Sequence, residues 1–239
     1  MIKCVIFDLD QTLVRLAVNW NQALESVKEV YRKQGIPESL LERYKLSVFS
    51  MITELYQEML KSFPKNRTEE IQRIVWQVLD NHEIKGVAEA EPVPNCRKIL
   101  TDIKSKGFKV GVVSANSSVA VTQALKKFDL ERYIDAVFTR DSPGRMKPSS
   151  DHVLACLKAL NCTPQNAILV GDNARDMQAA RKAGVLAVGL LAEDRQWMEK
   201  QGIPSEWRRQ RKEELEKSAD LTIQDLLEIR SLLKLCQKN

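Results

Sequence analysis

Five short apolar runs constrain this chain more than any other feature: Lys3–Phe7, Lys109–Val113, Ala136–Thr139, Ala167–Val170 and Ala187–Leu190. Most of them lack the polar alternation of a half-exposed strand. That is the pattern of parallel strands covered on both faces. Helical periodicity falls between the later runs, near 96–106, 118–128, 150–160 and 174–183, with a further stretch near 224–235. Gly107 and Gly184 follow two of these stretches and suit helix C-termini. Alternating strands and helices predict an α/β fold: a doubly wound parallel sheet with helices on both faces.

The segment from Val14 to Val93 breaks that rhythm. Trp20, Ala23, Leu24, Val27, Val30 and Tyr31 recur at helical spacing, as do Val48, Ile52, Leu55, Tyr56, Met59 and Leu60. A third set, Ile71, Ile74, Val75, Val78 and Leu79, has Asn66 and Thr68 as cap candidates and Glu69 and Glu70 in its first turn. The stretch GVAEAEPVPN then fits a linker. The expected organisation is an α/β domain over 1–13 and 94–239, interrupted by a helical domain over 14–93.

Charge narrows the choice of partner. Lys and Arg total 37 against 32 Asp and Glu, a net charge of +5 in 239 residues. The segment 193–217 looks basic but holds seven charges of each sign, and is expected to be a solvated, charge-balanced helix. No one-signed stripe suits a phosphate backbone, so nucleic acid is not expected as a partner. No apolar run approaches the ~18 residues of a membrane span. The opening MIKCVIFDLD reaches acidic side chains before a secretory apolar stretch could complete. A cytoplasmic protein with its five cysteines reduced is therefore expected, Cys4 packing as a small hydrophobe. The two histidines, His82 and His152, have no Cys or His neighbour at metal-ligand spacing.

In a sheet of this kind, ligands bind outside the carboxyl ends of the strands. The first run leads into Asp8-Leu9-Asp10-Gln11-Thr12, the second into Ser114-Ala115-Asn116. Arg145-Met146-Lys147-Pro148 follows the third, and the fourth ends in Gly171-Asp172-Asn173-Ala174-Arg175-Asp176. Residues two apart on an extended chain project to one side, so Asp8 and Asp10 can share a site. Clustered carboxylates repel and call for a counter-cation; oxygen donors without His or Cys favour a hard ion such as Mg²⁺. Ser114 and Lys147 can partner an anion beside it. A carboxylate nucleophile, a divalent ion and a lysine make a coherent phosphoryl-transfer site.

These motifs, IFDLDQTL, VGVVSANS, RMKPSS and VGDNARDM, occur in an order that resembles the haloacid dehalogenase-like hydrolase superfamily. The helical insertion resembles the cap of its phosphoglycolate phosphatase-like branch. The resemblance implies a Rossmann-like core with an inserted α-helical cap, and a Mg²⁺-dependent phosphatase acting on a small-molecule phosphate ester. It further implies that Asp8 attacks phosphorus to form an aspartyl-phosphate. Asp10 would serve as acid and then base, its backbone carbonyl also binding Mg²⁺. Asp8 and Asp172 would ligate the metal through their side chains, with Asp176 in support. Ser114 and Lys147 would hold phosphate oxygens, with Asn116 helping to line that pocket. Gln11 stands where relatives often have glycine, at the point where the chain turns from the strand. The presence of Asp10 argues against a dehalogenase.

Two alternatives share these residues. A phosphomutase of the same superfamily would transfer the phosphoryl group between hydroxyls, and a non-catalytic interaction protein would use the scaffold for docking. Arg15, Asn19 and Trp20 follow the first acidic motif closely enough to suggest the mouth of the pocket.

Overall fold

The computed structural model describes residues 1–44, 47–191, 195–200 and 205–235. Their contacts divide them into two compact units, Met1–Leu16 with Ala90–Asn239, and Ala17–Glu89.

The first unit opens with β1 (Cys4–Phe7), whose four residues CVIF are all buried, and β2 (Val14–Arg15). The chain then forms the second unit: α1 (Trp20–Lys33), α2 (Glu38–Leu41), α3 (Val48–Ser62) and α4 (Lys65–Ala88). It returns through β3 (Glu91–Pro92), α5 (Cys96–Ser105), β4 (Lys109–Val113), α6 (Ser118–Lys127) and β5 (Ala136–Phe138). Next come α7 (Asp151–Ala159), β6 (Ala167–Gly171), α8 (Ala174–Ala183) and β7 (Leu186–Leu190). The last elements are α9 (Arg195–Lys200), α10 (Ser205–Ser218), β8 (Leu221–Ile223) and α11 (Ile229–Leu235).

Six strands form a parallel sheet in the order β5-β4-β1-β6-β7-β8. The chain winds outward from β1 through β4 to β5, then crosses to β6 and winds the other way. The strand order therefore reverses beside β1, and the crevice of a doubly wound sheet opens at such a reversal. Register aligns the strand ends there, Phe7 facing Val112 on one side and Val170 on the other. Asp8, Ser114 and Asp172 each lie one or two residues beyond that row.

Cys4, Ile6, Val153, Cys156, Leu169, Met177 and Ala180 belong to one buried cluster, so Cys4 does pack as a small hydrophobe. Cys236 lies outside the described residues. Gly107 and Gly184 adopt the left-handed conformation, at φ +80° and +72°, that ends a helix without a Cβ penalty.

The helical unit has its own core. Val27, Tyr31, Met51, Leu55, Ile71, Val75 and Leu79 are buried together where α1, α3 and α4 meet. Each such side chain contributes about 1.5–3 kcal/mol when fully removed from water. Gly86 permits one close approach, since a Cβ there would stand 2.6 Å from Val18 Cγ2.

Several expectations need correction. Asn66 and Thr68 do not cap α4, which starts at Lys65 behind Pro64; Pro64 itself sets the extended entry, and Thr68 Oγ1 donates to its carbonyl at 3.3 Å. The expected linker is partly structure: α4 continues through Gly86 to Ala88, and Glu91–Pro92 pairs antiparallel with Val14–Arg15. The sheet gains β8 as a sixth strand. The stretch near 224–235 begins as a 3₁₀ turn over Leu226–Glu228 before α11. In 193–217, two helices replace one, and positions 193–194 and 201–204 lie outside the described residues. These helices are not merely solvated, because Trp197, Met198 and Leu215 are buried. No helix among the described residues is long and apolar enough to cross a membrane.

Candidate active site

Asp8 is still part of the sheet ladder, its N–H donating to the Val170 carbonyl at 2.9 Å. Beyond it the chain turns tightly: the Leu9 carbonyl accepts from the N–H groups of Thr12, Leu13 and Val14. Gln11 takes φ +63°, the left-handed conformation that glycine adopts without strain. The turn delivers two side chains. Asp10 Oδ1 accepts from the Leu16 N–H at 2.9 Å and from Gln11 Nε2 at 3.2 Å. Thr12, fully buried, donates its hydroxyl to Asp172 Oδ1 at 3.2 Å.

Asp172 follows β6, and α8 starts immediately after it. The helix carries a reciprocal cap: Asn173 Oδ1 accepts from the Arg175 N–H at 3.0 Å, and Asp176 Oδ2 accepts from the Asn173 N–H at 3.1 Å. Capping fixes Asp176, leaving its second oxygen for Lys147. Lys147 Nζ lies 2.6 Å from Asp176 Oδ1, 2.6 Å from Asp8 Oδ1 and 2.9 Å from the Val113 carbonyl. All three donor directions of the ammonium are thereby used. Gly171 is required here, because a Cβ would stand 2.5 Å from Asp176 Oδ2.

Ser114 and Asn116 form a separate buried pair after β4. Ser114 Oγ donates to Asn116 Oδ1 at 2.9 Å and accepts from the Asn116 N–H at 3.2 Å. Arg140 braces their loop, giving its N–H to the Asn116 carbonyl and Nη1 to the Ala115 carbonyl, each at 3.1 Å. Val113, whose carbonyl accepts from Lys147, links the pair to the carboxylates.

Electrostatics follow from this crowding. Asp8, Asp172 and Asp176 each bring a carboxylate oxygen within 4.8 Å of the others. Asp10 is not one of the three, yet it senses Asp8: burial pushes its carboxyl up to about 7, the Leu16 bond resists, and the Asp8 charge adds to the rise. Asp176 is likewise raised by burial, against the pull of Lys147. Burial opposes the charge on Lys147, but Asp176 and Asp8 outweigh it and hold the ammonium above its ordinary value.

The donor set suits a hard divalent cation. It consists of carboxylate oxygens alone, and neither histidine joins it: His82 meets Ser26 Oγ, and His152 meets the Ser142 carbonyl. Asp176 has both oxygens engaged by Asn173 and Lys147, and Asp172 by Thr12 and Arg211, so a cation at this group would have to displace part of these contacts.

Two residues near this group carried no role in the sequence reading. Thr12 followed the acidic motif directly, and a hydroxyl two residues beyond Asp10 was its available signal. Arg211 on α10 pairs with Asp172. Burial holds its pKa below the usual arginine value, while the Asp10 and Asp8 charges pull upward. Asn19 and Trp20 serve the helical unit locally: Asn19 accepts from the Gln22 N–H as the cap of α1, and the Trp20 ring packs 5.4 Å from that of Phe49.

Comparison with known proteins agrees with this layout. The pattern described as haloacid dehalogenase-like hydrolase matches residues 5–190. A phosphoglycolate phosphatase of Aquifex aeolicus is 31% identical over 183 residues, covering 76% of this chain and 81% of the relative. A glyceraldehyde 3-phosphate phosphatase of Methanothermobacter thermautotrophicus is 28% identical over 212 residues, covering 85% and 93% respectively. Among solved structures, a hydrolase from Pseudomonas syringae superposes with a TM-score of 0.62 at 22% identity, over 97% of this chain and 98% of that one. The protein is an enzyme of the haloacid dehalogenase-like hydrolase family, in its phosphoglycolate phosphatase-like branch.

Proposed function

We propose that the protein is a Mg²⁺-dependent phosphatase that hydrolyses a small phosphate monoester through an aspartyl-phosphate on Asp8. One observation carries this reading: a buried lysine bridges Asp8 and Asp176, while Asp172 completes an all-oxygen group at the point where the sheet reverses. The curated relatives, both named phosphatases, support the same chemistry.

Asp8 and Asp172 would hold the cation, together with the Asp10 backbone carbonyl. When bound, Mg²⁺ offsets carboxylate charge and polarises the phosphoryl oxygens. Lys147 orients Asp8 and, by exchanging its contact with the Val113 carbonyl, would join Ser114 in receiving the phosphoryl group. Asn116 orients the Ser114 hydroxyl. An Asp8 oxygen forms the new bond to phosphorus as the ester oxygen departs with its electron pair. Asp10, with a carboxyl raised to about 7, retains a proton near neutral pH and gives it to that oxygen. The resulting Asp10 carboxylate then takes a proton from water, which attacks phosphorus, releases inorganic phosphate and restores Asp8. The helical unit Ala17–Glu89 is read as a substrate-selecting cap.

The test is release of inorganic phosphate from p-nitrophenyl phosphate and a panel of phosphorylated metabolites, with Mg²⁺ and with EDTA. Turnover should need Mg²⁺ and vanish in Asp8→Asn, whose fold should persist. Equal rates in the parent and Asp8→Asn would overturn the proposal. Transfer to a second hydroxyl without phosphate release would point to a mutase.

A further inference from the structure

The turn after β5 grips the loop that carries Ser114 and Asn116. Val113 pairs with Phe138 in the ladder, and the Ser114 N–H donates to the Phe138 carbonyl at 2.9 Å. Both chains leave the sheet from that rung. On the β5 side the chain closes on itself: the Thr139 N–H donates to Ser142 Oγ at 2.9 Å, and the Ser142 N–H to the Thr139 carbonyl at 3.0 Å. The two residues inside this closed turn, Arg140 and Asp141, both reach the neighbouring loop. Arg140 Nη1 donates to the Ala115 carbonyl and the Arg140 N–H to the Asn116 carbonyl, each at 3.1 Å. Asp141 Oδ2 accepts from the Ser118 N–H at 2.6 Å, at the start of α6. The Arg140 side chain is 3% exposed, so water competes little for its contacts.

Peptide planarity gives these contacts a consequence for Ser114. In a trans peptide the carbonyl and the following N–H point in opposite directions. With the Ala115 carbonyl turned to Arg140, the Asn116 N–H turns away from it and meets Ser114 Oγ at 3.2 Å. The same hydroxyl gives its proton to Asn116 Oδ1 at 2.9 Å, so both of its contacts come from one residue. The Asn116 carbonyl, held by the Arg140 N–H, turns the Ser117 N–H away in the same manner. Rotation of the 115–116 peptide would instead point a carbonyl oxygen at Ser114, and a carbonyl oxygen repels an anion. Lys147 reaches the base of this loop, at the Val113 carbonyl, and Arg140 reaches its middle.

Building on the phosphatase reading, we propose that Arg140 is a positioning residue for the phosphoryl group: its guanidinium, by holding the Ala115 carbonyl, fixes the peptide that orients Ser114. Arg140 acts through that peptide and does not itself touch the substrate. Replacing its side chain leaves the backbone contact with Asn116 and the Asp141 contact with Ser118 in place, so the loop stays attached to β5 while the 115–116 peptide gains freedom.

Calorimetry of inorganic phosphate binding in the presence of Mg²⁺ reads this role without turnover. Arg140→Met removes the donor, and phosphate should bind about tenfold more weakly, the size of one lost hydrogen bond from a charged group. Arg140→Lys keeps a donor and should recover part of the loss. In a Ser114→Ala background the same Arg140→Met change should cost less than about threefold, because the two residues act through one peptide. Mg²⁺ binding without phosphate should be unchanged in Arg140→Met, which a general loosening of the fold would not allow. If Arg140→Met does not fold, Arg140→Gln makes the same comparison. Unchanged phosphate affinity, or an equal loss with and without Ser114→Ala, would overturn the assignment, as would a parent that binds no phosphate. Ester hydrolysis by the parent combined with unchanged phosphate affinity in Arg140→Met removes the role of Arg140 and leaves the phosphatase reading standing. Weakened phosphate binding in a protein that hydrolyses no ester does the reverse.

Discussion

Replacing Lys147 by Met isolates the cost of holding the carboxylates together. Lys147 contacts Asp8 and Asp176 at 2.6 Å each, and its side chain is 5% exposed. Met keeps most of the volume and removes the charge. At the 4.8 Å that bounds the oxygens of Asp8, Asp172 and Asp176, two like charges repel by about 3 kcal/mol at an effective dielectric of ~20. Breaking a buried pair by deleting one partner typically costs about 3–5 kcal/mol, and that is the loss expected at pH 8 without metal. The loss must depend on pH. Asp176 already sits above its unfolded pKa because of burial, with Lys147 pulling it down. Without Lys147 it rises further, so the folded protein binds protons that the unfolded chain releases near pH ~3.9. Stability is then retained at low pH and lost as pH rises through the folded pKa. Urea unfolding in EDTA should show the largest deficit at pH 8 and a smaller one at pH 5, with added Mg²⁺ restoring part of it at pH 8. A variant as stable as the parent at pH 8, or a deficit equal at both pH values, would refute the reasoning.

Three further outcomes are expected. Ser114→Ala should lower kcat by about 10²–10³, as loss of one preorganised donor does, with a stability loss of only about 1–3 kcal/mol from the broken Asn116 pair; a change in kcat below threefold would place the phosphate elsewhere. Gly171→Ala brings a Cβ to within 2.6 Å of Asp176 Cβ, and thermal unfolding should show a loss of about 1–3 kcal/mol together with reduced turnover; an unchanged melting temperature would contradict the packing. Gln11→Gly relieves the positive φ, and the gain should not exceed ~1 kcal/mol; a large destabilisation in chemical unfolding would show that the Gln11 contact with Asp10 matters more than the backbone.

Legibility followed burial. β1, β4 and β6 lie inside the sheet, so their unbroken apolar runs stood out and their ends fell within a residue or so of the expectation. β8 is an edge strand of three residues, two of them exposed, which leaves no pattern to read. The start of α4 was misplaced because polar side chains suggested a cap where Pro64 had already set the backbone. At the site, Asp8, Lys147, Asp172 and Asp176 were found by position at strand ends, and the structure brings them together. Arg211 was hidden in a helix whose fourteen residues carry a single large buried aliphatic, Leu215, so no apolar stripe marked which face turns inward.

The central position of β1 has a consequence for biosynthesis. Its partners begin at Lys109 and Ala167, so the ribosome completes this strand about 100 and about 160 residues before either neighbour exists. At ~5–20 residues per second, CVIF waits roughly 10–30 s without its full pairing. The helices of Ala17–Glu89 finish emerging within that interval. The nascent chain thus carries an incompletely paired β-segment until Ala167–Gly171 has been translated, which makes chaperone capture most valuable during that interval.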